Sequence, residues 1–212
     1  KVIGVEPAGA SCMKESLRQG KVVTLPQVNT IADGTAVKRP GEKLFPYIQE
    51  NVDEIITIDD NELIVAFLDM VENHKMIVEN SGLLTVAALK HIKAEKKKVV
   101  SILSGGNMDV ITLSSIVQHG LIQRDRVFTV SVLLPDKPGE LARVSSLLAE
   151  QHGNIIKLEH NQFISINRNA AVELRITMEA FGTEHKNQIV TALTDAGYRP
   201  KLVKVKGTYS EM

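Results

Sequence analysis

The stretch FTVSVLLPDKPGELARVSSLLAEQHGNIIKLEHNQF, Phe128 to Phe163, decides the fold of the carboxy-terminal part of the chain. Phe128, Val130 and Val132 alternate with Thr129 and Ser131, the period of a strand with one buried face. Pro135-Asp136-Lys137-Pro138-Gly139 breaks that strand, because two prolines remove ladder donors and glycine permits a sharp turn. Leu141, Val144, Leu147 and Leu148 then recur at helical spacing, and Gly153 after His152 supplies a stop. A second strand starts at Asn154-Ile155. From Ala171 onward, Val172, Leu174, Ile176 and Met178 alternate with Glu173, Arg175, Thr177 and Glu179, which predicts a half-exposed antiparallel strand. Ile189, Ala192, Leu193 and Ala196 build a second helix ending at Gly197, and Leu202 to Val205 form a last strand. The order is βαββαβ, a small ferredoxin-like sandwich.

Upstream of Asp125 the texture changes. Short apolar runs, Val2 to Val5, Ile55 to Ile58 and Val99 to Leu103, alternate with helical patterns, which is α/β grammar with a parallel-rich sheet covered by helices. Asp59 and Glu62 have capping-box spacing, and Leu63, Ala66, Phe67, Met70 and Val71 continue as one face of a helix. Another helix is predicted from about Ser81 to Ala94, apolar nearly all round at its start and solvated at Lys96-Lys97-Lys98. The expected division is therefore 1–125 and 126–212.

Composition narrows the functional classes. The chain has 212 residues, 43% of them apolar, enough for a core in each part. Lys and Arg balance Asp and Glu at 25 each, so the basic footprint of a nucleic-acid binder is missing. No run approaches the roughly 20 apolar residues of a spanning helix, and no signal peptide opens the chain, so a cytoplasmic, small-molecule protein is expected. Cys12 is the single cysteine and the six histidines lack ligand spacing, which speaks against a disulfide or structural zinc. The chain opens on a strand-like run without methionine, as a fragment would.

Residues 126 to about 206 resemble an ACT domain in the strand, the D-x-P-G turn opening a helix, and the G-N-I entry to the second strand. Physical reasoning about the turn agrees: Pro138 gives up an unneeded donor, Gly139 lets the backbone approach closely, and the helix start offers amides to a carboxylate. The resemblance implies an amino-acid effector held by Asp136, Gly139, Asn154 and Ile155 across a dimer interface; a turn-forming Asp136 and a strand-capping Asn154 are the plain alternative. The strand at Phe128 carries no charge in its middle and is expected to pair with a second copy across a symmetry axis.

The first part resembles the fold-type-II pyridoxal-phosphate enzymes, in particular threonine ammonia-lyases and serine racemases, through GVEP, TIADG, VENSG and ILSGGN in that order. The resemblance implies pyridoxal 5'-phosphate as cofactor, with Ser104 hydrogen-bonded to the pyridine nitrogen and Gly105, Glu79 and Gly34 beside it. A hydroxyl there leaves the ring largely neutral, which suits β-elimination. Relatives more often have proline where this chain has Asn80. Glu6 and the Ala10 carbonyl correspond to cation ligands in some relatives, but Cys12 replaces an aspartate, and a thiol is a poor ligand for magnesium or calcium. The family's Schiff-base lysine motif and phosphate-binding glycine loop do not occur in these residues, so no catalytic residue is assigned here. The implied activity is β-elimination on threonine, and on serine less well, by a homodimer or homotetramer. A single ACT domain fits the shorter, catabolic-type lyases. The alternatives are a non-catalytic amino-acid-binding dimer and, less favoured, a serine racemase.

Overall fold

The computed structural model describes residues 1–93, 95–161 and 172–203. The chain divides into two compact units, Lys1–Gly120 and Leu121–Met212.

In the first unit, β1 (Ile3–Pro7) and β2 (Glu54–Ile58) pair in parallel, Ile3 opposite Glu54 through Pro7 opposite Ile58. Between them in sequence come α1 (Cys12–Gln19) and α2 (Phe45–Asn51). Helix α3 (Asp60–Asp69) begins on the capping box foreseen from its sequence: Asp59 accepts from the Asn61 amide at 2.9 Å, and Glu62 from the Asp59 amide at 3.2 Å. Two orphan donors of the first turn are thereby satisfied. Leu63, Ala66, Phe67 and Met70 are buried as the spacing requires, and they form one core with Ile58, Leu83, Leu84, Ala87 and Ile116. Those last residues come from β2, α4 (Asn80–Ala87) and α5 (Val110–Gln123). Asp109 starts α5 by accepting the amides of Ile111 and Thr112 at 2.9 and 3.0 Å.

Two expectations for this unit fail. The helix predicted to reach Ala94 ends as α4 at Ala87 and tightens to a 3-10 turn through His91; Ala94 itself lies outside the described residues. Lys96 takes a left-handed φ of 59°, so the lysine run leaves a turn and is not a helix end, although it is exposed. Val99 to Leu103 forms no strand; its polar contacts go to α4, where Thr85 Oγ1 donates to the Ile102 carbonyl at 2.9 Å and Ser101 Oγ donates to the Thr85 carbonyl at 3.2 Å. An apolar β-branched run needs a neighbouring ladder to become a strand, and no described strand pairs with it.

The second unit has the βαββαβ order. Its elements are β3 (Val127–Leu134), α6 (Glu140–Glu150), β4 (Asn154–Asn161), β5 (Val172–Glu179), α7 (Thr183–Asp195) and β6 (Lys201–Val203). The sheet is antiparallel in the order β4-β5-β3-β6. Val172, Leu174, Ile176 and Met178 are all buried, and the last three make the core with Val130, Val132, Val144, Leu148, Ile189 and Leu193. Gly197 ends α7 at φ 91°, whereas at the end of α6 the left-handed residue is His152 (φ 57°) rather than Gly153. Gly153 instead lies close to Leu148 O and Ile189 Cδ1, each 3.3 Å from where a Cβ would sit. Ala171, Lys204 and Val205, expected in the strands, lie outside the described residues.

The position of β3 corrects one further expectation. It is flanked by β5 along its length and by β6 at Thr129 to Ser131, so it is an inner strand of the sheet and not a free edge; β4 and β6 are the edges. A strand without charged gatekeepers is as consistent with a central position as with an interface edge, and only the topology separates the two. No helix among the described residues is long and apolar enough to cross a membrane.

Candidate functional site

Three segments of the first unit meet at the amino-terminal end of α4. Glu79 precedes the helix in extended conformation, with φ −63° and ψ 155°. Its amide approaches the Gly105 carbonyl at 3.4 Å, and its carboxylate accepts the Asn107 amide at 3.1 Å, so one residue clips the Ser104 to Asn107 loop at two points. Backbone contact tightens the joint. A Cβ on Gly82 would sit 1.7 Å from the Ser104 carbonyl oxygen, and a Cβ on Gly105, which has φ +84°, would sit 2.0 Å from Glu79 Oε1. Glycine is required at both places, for space at Gly82 and for space and conformation at Gly105.

The third segment is Thr30 to Thr35. A Cβ on Gly34 would lie 2.8 Å from Ser81 Oγ and 3.7 Å from Glu79 Oε1, which places this loop against the same helix start. Two side chains hold it. Asp60 accepts from Thr30 Oγ1 at 2.6 Å and from the Ile31 amide at 3.0 Å, and Asn80 Nδ2 donates to the Ile31 carbonyl at 2.9 Å. Neither residue stood out as a site residue in the sequence: Asp60 reads as a helix-start acid, and Asn80 as a departure from the family's proline. Their signal is visible only in space.

Gly34, Glu79, Ser104 and Gly105 are thus brought together, and Ser104, Gly105 and Gly34 are exposed at the surface. The arrangement fits pyridoxal phosphate in two respects. A helix start offers positive potential, and Ser81 Oγ is buried with no partner in a place lined by Gly34.

Glu6 and Cys12 meet elsewhere, at the start of α1, and Ala10 ends the short 3-10 turn before that helix. The two oxygens of Glu6 accept the Met13 and Lys14 amides, each at 2.8 Å, and the Cys12 thiol approaches Glu6 Oε1 at 3.9 Å. Burial pushes the Cys12 thiol up, and the Glu6 charge adds to this, so it stays a neutral thiol. A carboxylate already capping a helix and a neutral thiol do not fit a hard cation, and no cluster of three His, Cys, Asp or Glu occurs among the described residues.

In the second unit Gly139 takes φ 93° immediately before α6, and no side chain caps that helix. Asp136 and Gly139 are exposed. Asn154 donates through Nδ2 to Glu179 Oε2 at 2.9 Å, which ties it to the neighbouring strand, and Ile155 packs on the core. The segment after α7 reaches the same helix start: the buried Tyr198 donates its hydroxyl to Glu140 at 3.2 Å.

Comparison with known proteins assigns both units. Residues 1–105 match the family described as pyridoxal-phosphate dependent enzyme, and residues 128–197 match the ACT domain. The chain is 36% identical over 206 residues to an L-threonine ammonia-lyase of Geobacter sulfurreducens, covering 96% of this chain and 51% of that protein. It is similar to a solved threonine deaminase isoform 2 of Solanum lycopersicum at 35% identity and TM-score 0.51, over 56% of this chain and 34% of the other. Maize serine racemase is similar at 34% identity and TM-score 0.50, over 58% and 39%. The chain spans about half the length of the curated relatives it matches. Along nearly its whole length the chain thus matches the carboxy-terminal portion of the threonine ammonia-lyases, with the pyridoxal-phosphate dependent enzyme match over residues 1–105 followed by the ACT match over residues 128–197.

Proposed function

We propose that the whole protein is a threonine ammonia-lyase that converts threonine to 2-oxobutanoate and ammonia, and serine less well to pyruvate and ammonia. This chain provides one wall of its cofactor site and its regulatory domain. The observation that carries the reading is the convergence of Gly34, Glu79, Ser104 and Gly105 on the start of α4, in a chain that matches such lyases over 96% of its length.

Pyridoxal phosphate, when bound, supplies an electron-withdrawing ring that acidifies the substrate's α-hydrogen and assists loss of its β-hydroxyl. Ser104 would offer the ring nitrogen a neutral hydroxyl, able to share a hydrogen bond without fixing a positive charge there. Glu79 holds the Ser104 to Asn107 loop in place. Gly34 and Gly105 let the three segments close on one another around Glu79, and the helix start there would favour negative groups nearby.

The ACT unit is proposed to bind a free branched or hydroxylated amino acid at the Asp136 to Gly139 turn. Amides at the start of α6 would take its carboxylate and Asp136 its ammonium, with Asn154 and Ile155 completing the cleft. A second copy would add along β4 or β6, the open edges of the sheet, in a homodimer or homotetramer.

Ketoacid release by the full-length protein loaded with cofactor is the test: 2-oxobutanoate from threonine is expected, with pyruvate from serine at a lower rate. Release of neither would refute the proposal. The maize match supports a serine racemase as a second reading, and formation of D-serine without ketoacid would select it.

A further inference from the structure

We infer that Asn80, together with Asp60, is a positioning residue that sets the Thr30 to Thr35 loop for the cofactor; the inference rests on the function proposed above. Ile31 is gripped at both of its backbone polar groups by side chains from two different helices. Asp60, at the start of α3, takes its amide at 3.0 Å; Asn80, at the start of α4, gives a hydrogen to its carbonyl at 2.9 Å. Thr30 locks the same turn from within, its hydroxyl donating to Asp60 at 2.6 Å while accepting the Ala32 amide at 3.1 Å. Three residues farther on, Gly34 lies against Ser81 and Glu79. The loop's height above the helix start is therefore set by side-chain amide and carboxylate reach in addition to the apolar packing of Ala32 and Ile31 on the core.

Asn80 makes a poor stabilising residue, which is what points to positioning. It is only 4% exposed, and its Oδ1 is buried with no partner, so half of its carboxamide bears an uncompensated desolvation cost. An apolar side chain of similar volume would avoid that cost and fill the same space. What such a side chain cannot do is donate to Ile31. The next residue repeats the pattern, since Ser81 Oγ is also buried and unpartnered directly beneath Gly34. Two adjacent orphaned oxygens at one helix start mark a place organised around a ligand rather than around the stability of the unit.

The test uses full-length protein, with Asn80→Asp and Asn80→Leu as the main variants. Asn80→Asp keeps the shape but loses the donor; Asn80→Leu removes the orphaned oxygen as well. Thr30→Ser is the conservative control, because it keeps the hydroxyl. Three quantities are read: the dissociation constant of pyridoxal phosphate, the absorbance maximum of the bound cofactor, and hydrogen exchange of the Ala32 to Thr35 amides in cofactor-free protein. Both Asn80 variants should weaken cofactor binding by about tenfold, the factor to which the loss of one intramolecular hydrogen bond amounts at its upper range. They should also shift the absorbance maximum and speed exchange in that loop alone, while Thr30→Ser behaves as wild type and the melting temperature of cofactor-free Asn80→Leu does not fall. Unchanged affinity and absorbance in both variants overturns the inference, as does a loss of affinity that merely follows a fall in melting temperature. A wild-type protein that takes up no cofactor refutes the functional proposal itself, whereas equal loading of wild type and variants refutes only the clamp.

Discussion

Two glycines that a sequence shows as equivalent should respond oppositely to alanine. At Gly82 the added Cβ would meet the Ser104 carbonyl oxygen at 1.7 Å and Val78 Cγ1 at 2.9 Å, and the first of these is backbone that no rotamer change can move. Reaching ordinary contact, roughly 3.5 Å, requires the Ser104 to Asn107 loop to retreat by roughly 1.5 to 2 Å. That movement breaks the Glu79 amide to Gly105 carbonyl bond and the Asn107 amide to Glu79 carboxylate bond. Overpacking costs about 1–3 kcal/mol and each bond about 1 kcal/mol or more; alanine recovers about 1 kcal/mol of helix propensity. A net loss of about 3 kcal/mol, roughly 150-fold in the folding equilibrium, is expected. Gly106 sits in the same loop, has nothing within 4 Å of its Cβ position and needs no left-handed conformation. Gly106→Ala should be neutral or stabilising by about 0.4–1 kcal/mol. Urea unfolding of both variants beside wild type, followed by circular dichroism, measures the difference. The reasoning is refuted if Gly82→Ala unfolds within about 0.5 kcal/mol of Gly106→Ala.

Ser104→Ala in the full-length enzyme should lower ketoacid release and shift the cofactor's absorbance while leaving the fold intact, and wild-type activity with an unchanged spectrum would remove Ser104 from the site. Asp136→Ala should weaken binding of the amino-acid effector by about 1.5–3 kcal/mol in isothermal titration, the range for hydrogen bonds to charged groups; an effector bound equally well by the variant would place the cleft elsewhere. Burial pushes the Asp125 carboxyl up, but Lys186 at 2.8 Å and Thr183 at 2.8 Å more than offset this and hold it below its usual value. Its contribution is thus present above the unfolded pKa of about 4 and is lost as pH falls through the folded value. Asn tolerates the left-handed φ of 54° at this position, so Asp125→Asn should flatten the acid limb of the stability profile below about pH 4 and leave the backbone unstrained. An unaltered acid limb in thermal melts between pH 2 and 7 would show that the pair contributes nothing to the pH dependence.

Local patterns were legible wherever a residue's neighbours in sequence are also its neighbours in space. The alternation from Val172 to Met178 became a strand with that face buried, the Asp59 and Glu62 spacing became a complete capping box, and the Pro135 to Gly139 break became the turn into α6. Ordered motifs were informative in the same way. TIADG, VENSG and ILSGGN lie far apart in the chain, yet each carries a glycine whose missing Cβ makes room for one of the others, at Gly34, Gly82 and Gly105. What such patterns do not encode is which strand lies beside which, and how far a side chain reaches across the fold. Val99 to Leu103 has the composition of a strand but no ladder to join; β3 has the composition of a sticky edge but is paired on both sides. Strand identity depends on partners, and sequence lists residues without their partners. The grip of Asp60 and Asn80 on Ile31 joins residues 29 and 49 positions apart, and its specificity is a matter of hydrogen-bond geometry that exists only once both helices have docked.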